Sequence, residues 1–167
     1  MSNIAHTQKS KTVSESQVTS SHLVLPSDTN ALGSIFGGTI MSWIDIVAAI
    51  AAQRHSNCIV VTASVDRLNF VAPVYQGWVV NLKASINYAG RTSMEVGVRV
   101  DAENPITGKR FHTVSAYLTF VAVDQSGKPV EIPKIVPQTV DEKRRYQSAE
   151  RRKQQRIALL KEEQKGN

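Results

Sequence analysis

The longest apolar stretch of the chain runs from Thr39 to Ala52 and carries a single charged side chain, Asp45. Its 14 residues are too many for a typical buried strand and fewer than the ~20 that a membrane span needs. Four alanines favour a helix, at positions 48, 49, 51 and 52. Because this helix would be apolar on nearly every side, we expect other structure to enclose it.

Three polar residues interrupt the apolar surface of the predicted helix: Thr39, Ser42 and Asp45. Steps of three residues at ~100° each keep them within an arc of roughly 120°, so they form one polar stripe. A charge on such a helix is costly unless it is paired, hydrogen-bonded or open to a cavity. Asp45 is therefore either a general base or nucleophile, or a structural carboxylate bonded to a neighbouring segment, and the pattern alone leaves both open.

Two features ahead of the helix are further candidates, and each also has an ordinary structural interpretation. The pair Gly37-Gly38 either lets a ligand approach free amides at the helix N-terminus or forms a tight turn. Asn30 either donates its amide to a substrate carbonyl or holds a turn together with Asp28 and Thr29.

Beyond the helix the hydrophobic pattern changes to a period of two residues, which predicts strands. The β-branched segment from Cys58 to Val65 predicts a buried strand, and His22 to Leu25 predicts a short strand ahead of the helix. Three more strands are predicted at residues 78–88, 94–100 and 111–123. This order predicts an α+β fold in which a curved antiparallel sheet, linked mainly by hairpin turns, wraps the helix.

The chain divides by composition into three regions. Residues 1–20 lack the apolar run of a signal peptide and are predicted to be a disordered polar arm. Residues 21–136 form the predicted domain, and residues 137–167 a basic helical tail. The tail has little apolar face, so we expect charge pairs and contacts with the domain to stabilise its helix.

Cysteine and charge usage limit the classes of function. The lone cysteine, Cys58, excludes an internal disulfide and a cysteine-based zinc cluster, and it favours a reducing, cytoplasmic setting. The tail holds nine Lys/Arg against five Asp/Glu, so about +4 of the net charge of +6 belongs to it. Since the arm adds +1, only +1 is left for the domain. This distribution argues against a nucleic-acid partner.

Other reactive side chains do not form a recognisable site. Ser42 lacks the G-x-S-x-G context of a serine hydrolase. The turn from Gly90 to Ser93 combines backbone amides, hydroxyls and a cation, which makes it a weak candidate for a phosphate contact. No metal-ligand spacing links the four histidines, which are His6, His22, His55 and His112.

The segment LPSDTNALGSIFGGTIMSWID, which ends at Asp45, resembles the N-x-x-G-x-x-F-G-G-x-x-M-x-x-x-D signature of the cytosolic acyl-CoA hydrolases. That family includes the YciA-type bacterial enzymes and the brain-type acyl-CoA hydrolases. The likeness continues through SVDRLNFVAPV, GRTSMEV, ENPITGKR and AYLTFVAVDQSGKP, and RRYQSAERRKQQR resembles the tail that often follows. The chain departs from the family at Gly77-Trp78, where Gly-Asp is usual, which affects a strand end rather than the chemistry.

This resemblance implies a hotdog fold and the hydrolysis of fatty acyl-CoA thioesters to free fatty acid and CoA. Asp45 would be the catalytic carboxylate, as general base or nucleophile. Asn30 would position the substrate or water, and the Gly38 amide would polarise the thioester carbonyl. In such proteins the site lies between two subunits, so Asn30 and Asp45 would come from different chains. Three such dimers commonly form a hexamer.

The resemblance also implies the contacts with CoA, which is part of the substrate; no cofactor or metal is expected. Arg91, Thr92 and Ser93 match the loop that usually meets the CoA moiety. Arg151 and Arg152 of the tail would meet its phosphates.

The alternative to an enzyme is a non-catalytic acyl-CoA binder or sensor on the same fold. The retained Asn30, Gly38 and Asp45 favour the enzyme, because a sensor needs no carboxylate at the carbonyl. A hotdog dehydratase is less favoured, since the sequence lacks the histidine and acidic pair that such chemistry uses.

Overall fold

A computed structural model describes residues 9–165. The predicted central helix is present as α1, Gly37–Ser56. It ends at Asn57, whose backbone is left-handed with φ of 53° and whose amide donates to the Gln53 carbonyl at 2.7 Å. Asparagine tolerates this conformation, so it closes the helix as a glycine often does. Within the described residues, no helix is long and apolar enough to cross a membrane.

The sheet has five antiparallel strands in the order β2-β4-β5-β6-β3, which confirms the predicted architecture. Strands β4, β5 and β6 follow one another as hairpins, whereas β3 crosses over to pair with β6 and forms an edge. The predicted strand at residues 22–25 is displaced, because β2 begins at Val18. The bounds are β2 Val18–Leu23, β3 Ile59–Phe70, β4 Val79–Ala89, β5 Ser93–Glu103 and β6 Arg110–Val123.

One face of the sheet packs on α1 and forms the core. Even-numbered residues of β5 alternate with polar ones, so that Val96, Val98 and Val100 lie on the core side. Each buried aliphatic side chain of this kind stabilises the fold by ~1.5–3 kcal/mol. The α1 residues buried in this core include Ile40, Ile44, Val47, Ala48 and Ala51.

The prediction that α1 is enclosed on all sides is wrong for the single chain. Met41 and Ile46 of α1 are about half exposed, at 47% and 53%. The predicted buried strand β3 is likewise an edge strand with exposed apolar side chains, at Ile59, Val61 and Val65. Sequence pattern cannot distinguish a strand buried inside one chain from a strand whose apolar side chains have no cover within that chain.

The prediction of a disordered arm is wrong for residues 9–20, and its first eight residues lie outside the described part of the chain. Strand β1, Ser10–Thr12, pairs in parallel with β7, Lys134–Val136. The Lys11 side chain is buried, and its ammonium donates to the Arg54 carbonyl at 2.7 Å. A cation at a helix C-terminus is favourable, so Lys11 ties the arm to the end of α1.

The tail forms α2, Val140–Lys165, which lies on the sheet face opposite α1. Thr139 and Glu142 cap its start reciprocally: the Thr139 hydroxyl accepts from the Glu142 amide at 3.2 Å, and the Glu142 carboxylate accepts from the Thr139 amide at 3.1 Å. Ala149 is buried against the domain. The expected stabilisation by charge pairs takes the form of ion pairs with the sheet, from Arg152 to Glu95 and from Arg156 to Asp66.

Candidate active site

Asp45 lies in the middle of α1 and is half-buried. Its Oδ1 atom accepts a hydrogen bond from the Thr62 hydroxyl of β3 at 2.8 Å. The other oxygen, Oδ2, has no hydrogen-bond partner among the described residues. The carboxylate is therefore held at one oxygen and open at the other, which is the arrangement that a general base or nucleophile requires.

A β-bulge in β3 follows Thr62 directly, since the register with β6 shifts between Thr62 and Ser64. Bulges redirect side chains and are frequent beside functional sites. The bulge changes the side-chain alternation of an edge strand at the point where Thr62 meets α1. Thr62 was not among the residues predicted from sequence, because the hydrophobic period does not reveal where a bulge falls.

The polar stripe of α1 lies toward the uncovered side of the helix. Ser42 is exposed, and Thr39 and Asp45 are half-buried. Asp45 therefore has access to solvent in the single chain and does not need a charge partner.

The N-terminus of α1 presents a free amide. No described side chain caps the helix, and the amides of Thr39 and Ile40 make the first bonds, to the Phe36 carbonyl at 2.9 and 3.4 Å. The Gly38 amide lies ahead of them and has no acceptor in the described part of the chain. A Cβ atom on Gly38 would lie 2.6 Å from the ring of Phe36, an exposed side chain that would have to move to admit it.

Asn30 occupies a turn and makes its hydrogen bonds within its own loop. Its side-chain oxygen accepts from the Leu32 amide at 2.9 Å, and its side-chain nitrogen donates to the Ser34 hydroxyl at 3.0 Å. Within residues 9–165, no hydrogen bond links Asn30 to Asp45. The single chain thus brings Asp45 together with Thr62, but not with Asn30.

The predicted CoA loop borders a cleft of about 470 Å³ between the sheet and α2. Backbone bonds hold the loop, from the Ile132 amide to the Arg91 carbonyl at 3.0 Å and from the Ala122 amide to the Thr92 carbonyl at 3.0 Å. The Arg91 guanidinium is exposed, 3.7 Å from the Glu131 carboxylate. Thr92 and Ser93 are half-buried beside it.

The two predicted tail cations have different surroundings. Arg151 is exposed and donates to the Ser148 hydroxyl at 3.2 Å. Arg152 binds both oxygens of the buried Glu95 carboxylate, at 2.6 and 3.0 Å, and its guanidinium stacks 3.7 Å from the centre of the Tyr117 ring. Although partial burial opposes the charged form, the bonds to Glu95 raise the pKa of Arg152. These contacts indicate that Arg152 attaches α2 to the sheet rather than binding a phosphate.

The histidines that the structure describes do not form a metal site, and no cluster of three or more potential ligands occurs among residues 9–165. His22 stacks on the Trp43 ring at 4.4 Å. His112 lies 3.4 Å from Asp101, and His55 is buried at the end of α1. His6 lies outside the described residues.

Comparison with known proteins agrees with this architecture. The family model of the thioesterase superfamily matches residues 32–109. An uncharacterized acyl-CoA thioester hydrolase of Bacillus subtilis, YkhA, is 40% identical over 150 residues, which make up 90% of this chain and 87% of that protein. The chain belongs to the acyl-CoA thioester hydrolases of the thioesterase superfamily. This hydrolase also resembles a crystal structure described as an apo-hexameric acyl-CoA thioesterase, with a TM-score of 0.89 and 45% identity over 91% of this chain and 97% of that one.

The hydrolase is also similar to the acyl-CoA hydrolase of Staphylococcus aureus, solved with butyryl-CoA, CoA and CoA disulfide. The TM-score is 0.86, with 38% identity over 93% of this chain and 95% of that chain. Solved alanine variants of the same S. aureus protein replace an asparagine, an aspartate and a threonine, spaced 15 and then 17 residues apart. Those variants have TM-scores of 0.86–0.89 and identities of 37–38%, over 93–95% of this chain and 95–98% of theirs.

Proposed function

We propose that Asp45 is the catalytic carboxylate of this chain, an acyl-CoA thioesterase that hydrolyses fatty acyl-CoA thioesters to free fatty acid and CoA. The observation that carries the proposal is the hydrogen bond from Thr62 to Asp45 Oδ1 at 2.8 Å. This bond holds one carboxylate oxygen, while Oδ2 stays open beside the uncovered side of α1 and is free to act on water or on a carbonyl carbon.

The chemistry has two balanced forms. As a general base, Asp45 takes a proton from water, and the resulting hydroxide attacks the thioester carbonyl carbon. As a nucleophile, Asp45 attacks that carbon itself, and water then hydrolyses the mixed anhydride. In both forms the tetrahedral oxyanion is stabilised by the Gly38 amide at the positive end of α1, and the carbon–sulfur bond breaks with its electron pair going to sulfur. The CoA thiolate takes the proton held by Asp45 in the first form and a proton from water in the second, so CoA leaves as its thiol.

The spacing of the residues replaced in the S. aureus hydrolase supports this assignment. Asn30 precedes Asp45 by 15 residues and Thr62 follows it by 17, which are the two spacings found in that protein. We propose the corresponding roles here: Asn30 positions substrate or water, and Thr62 fixes Asp45.

We propose that two chains complete each site. Within the described residues, Asn30 bonds only inside its loop, and β3 has one edge without a neighbouring strand and exposed apolar side chains at Val61 and Val65. An exposed apolar edge strand is an aggregation hazard unless another chain covers it. Pairing of two β3 edges about a two-fold axis would cover this surface. It would also bring the loop that holds Asn30 in the second chain toward Asp45 of the first. The hexameric assembly of a 45% identical thioesterase supports three such dimers.

For the CoA moiety we propose the loop of Arg91, Thr92 and Ser93, with Arg151 as the exposed tail cation. Arg152 contributes less to phosphate binding, because Glu95 already occupies its donors. The reaction uses water and the carboxylate, so we propose that no cofactor takes part. A cytoplasmic location is proposed on the basis of the lone Cys58, which suits a reducing compartment.

The test is thiol release from acyl-CoAs of graded chain length, followed with a chromogenic reagent. Asp45→Asn keeps the size of the side chain and its bond to Thr62 but removes the base, so we expect kcat to fall by about 10²–10⁴-fold. Circular dichroism verifies that the variant is folded. Comparable rates in the variant would refute the role of Asp45, and binding of every acyl-CoA without turnover would favour the non-catalytic sensor.

A further inference from the structure

The outer face of the sheet, which is the face opposite α1, carries a hydroxyl, an imidazole and a carboxylate in one hydrogen-bonded row. The Ser115 hydroxyl lies 3.1 Å from His112 Nε2, and His112 Nδ1 lies 3.4 Å from Asp101 Oδ1. In this order the three groups match a serine nucleophile, its base and the carboxylate that orients the base. Such a set is recognised by its geometry, so it does not require a G-x-S-x-G sequence around Ser115.

A β-bulge brings Ser115 and His112 to the same face of the sheet. In a regular strand, residues three positions apart point to opposite faces. The register of β5 with β6 shifts between Val100 and Asp101, so that Thr113 of β6 has no opposite residue. Bulges are frequent beside active sites, where they redirect a side chain. The irregularity of β6 therefore creates the contact between hydroxyl and imidazole.

Asp101 is held as a carboxylate. Although partial burial opposes ionisation, the hydrogen bonds from Arg99 and His112 lower the pKa of Asp101. The Arg99 Nε atom donates to both carboxylate oxygens, at 3.0 and 2.9 Å. An ionised Asp101 favours the neutral form of His112 with its proton on Nδ1. In that form, Nε2 is the acceptor for the proton of the Ser115 hydroxyl.

Ser115 is exposed and borders a cavity of about 330 Å³ on the outer face. The strand pairings place two cations in line with it: Arg99 lies opposite Ser115, and Lys83 lies opposite Arg99. Positive charge beside an attacked carbonyl stabilises the oxyanion of the tetrahedral intermediate. These two side chains would serve as the oxyanion stabilisers, because the backbone amides of a central strand are used in sheet pairing.

We propose that Ser115, His112 and Asp101 form a second hydrolytic site that acts on small carboxylic esters. His112 Nε2 takes the hydroxyl proton as Ser115 Oγ attacks the ester carbonyl carbon. The carbon–oxygen bond of the ester then breaks, and the leaving alcohol takes the proton from His112. Water attacks the acyl carbon, His112 passes a proton of that water to Oγ, and the carboxylic acid leaves. This activity does not depend on the role of Asp45.

A fluorophosphonate probe on the full chain tests the nucleophile, because it marks an activated serine covalently and mass spectrometry locates the mark. We expect Ser115 to be labelled, and the rate to fall by about 10²-fold or more in His112→Gln, which lacks the base. Asp101→Asn should slow labelling, and Asp101→Glu should recover part of the rate. Ser85 is the matched control: it lines the same cavity, has no hydrogen bond to a histidine among the described residues, and should stay unlabelled.

Hydrolysis of p-nitrophenyl acetate tests turnover. It is measured in Asp45→Asn, so that the proposed thioesterase site does not contribute, and circular dichroism verifies that each variant is folded. We expect Asp45→Asn to turn over the ester many times, Asp45→Asn/Ser115→Ala to lose this activity, and Asp45→Asn/Ser85→Ala to retain it. Absence of label on Ser115, an equal labelling rate in His112→Gln, or equal ester hydrolysis with and without the Ser115 hydroxyl overturns the proposal.

Discussion

At the residue scale, the site depends on how the Asp45 carboxylate is oriented. Thr62 donates to one oxygen at 2.8 Å and leaves the other open. Thr62 lies on the edge strand β3, directly before its bulge. Its hydroxyl makes the only side-chain hydrogen bond to Asp45 within the described residues. The hydroxyl acts on the position of the carboxylate through this bond to Oδ1.

Replacement of Thr62 by valine removes the hydroxyl and keeps the shape. We expect kcat to fall by about 10–100-fold with a smaller change in KM, since small misplacements of a catalytic group cost this much. Thr62→Ser retains the donor and should recover most of the rate. Steady-state kinetics on one acyl-CoA provide the measurement. A valine variant as active as the serine variant would show that the contact is dispensable.

His55 makes stability depend on pH. Burial lowers its pKa, opposed by the bond to the Pro133 carbonyl at 2.8 Å, and Lys11 lowers it while Glu15 acts in the opposite sense. The unfolded chain therefore binds a proton more readily than the folded one. The contribution of the neutral, buried His55 to the free energy of unfolding is complete above the unfolded pKa of ~6.5. It is lost as the pH falls through and below that value.

Urea unfolding between pH 7.5 and pH 5 measures this effect. Wild-type protein should lose free energy of unfolding across this interval more steeply than His55→Gln, which cannot titrate. The same slope in both proteins would contradict a neutral, buried His55.

At the element scale, a buried ion pair adds to the apolar contacts, such as that of Ala149, that attach α2 to the sheet. Glu95 is 4% exposed and is bound by Arg152 through two hydrogen bonds. Arg152 also covers the Tyr117 ring. Loss of the arginine would leave a buried carboxylate without its counter-charge, which is a large penalty.

We therefore expect Arg152→Met to lower the free energy of unfolding by about 3 kcal/mol, at the lower end for a broken buried pair because Arg152 is partly exposed. The neighbouring Arg151→Met removes an exposed cation and should change it by less than about 0.5 kcal/mol. Adding Glu95→Gln to Arg152→Met should restore part of the loss. Equal effects of the two arginine variants, measured by urea unfolding, would argue against this docking role.

The sequence predicts the elements with strong local patterns and misses those defined by long-range pairing. α1 and β4 to β6 follow from the 3.6-residue and two-residue periods. The parallel pair β1 and β7 joins segments more than 120 residues apart, Ser10 to Lys134, and has no local signature. The exposure of β3 likewise depends on its place in the sheet order, which periodicity does not encode.

At the scale of the whole molecule, the chain folds as a unit that leaves an apolar surface uncovered along α1 and β3. The proposed site residues divide along the same line: Asp45 and Thr62 meet, while Asn30 stays in its own loop. The sequence motif predicts Asn30, Gly38 and Asp45 together, as parts of one site. It cannot reveal which chain supplies each residue, and it does not reach Thr62, whose contact depends on a bulge.

The most direct test of a shared site is complementation between two inactive variants. Asn30→Ala and Asp45→Ala are purified separately, then mixed, unfolded and refolded together, and assayed for thiol release from an acyl-CoA. If each site takes Asn30 from one chain and Asp45 from its partner, half of the randomly paired dimers are hybrids with one intact site, and activity returns to about a quarter of wild type per chain. A mixture no more active than the separate variants would contradict the account.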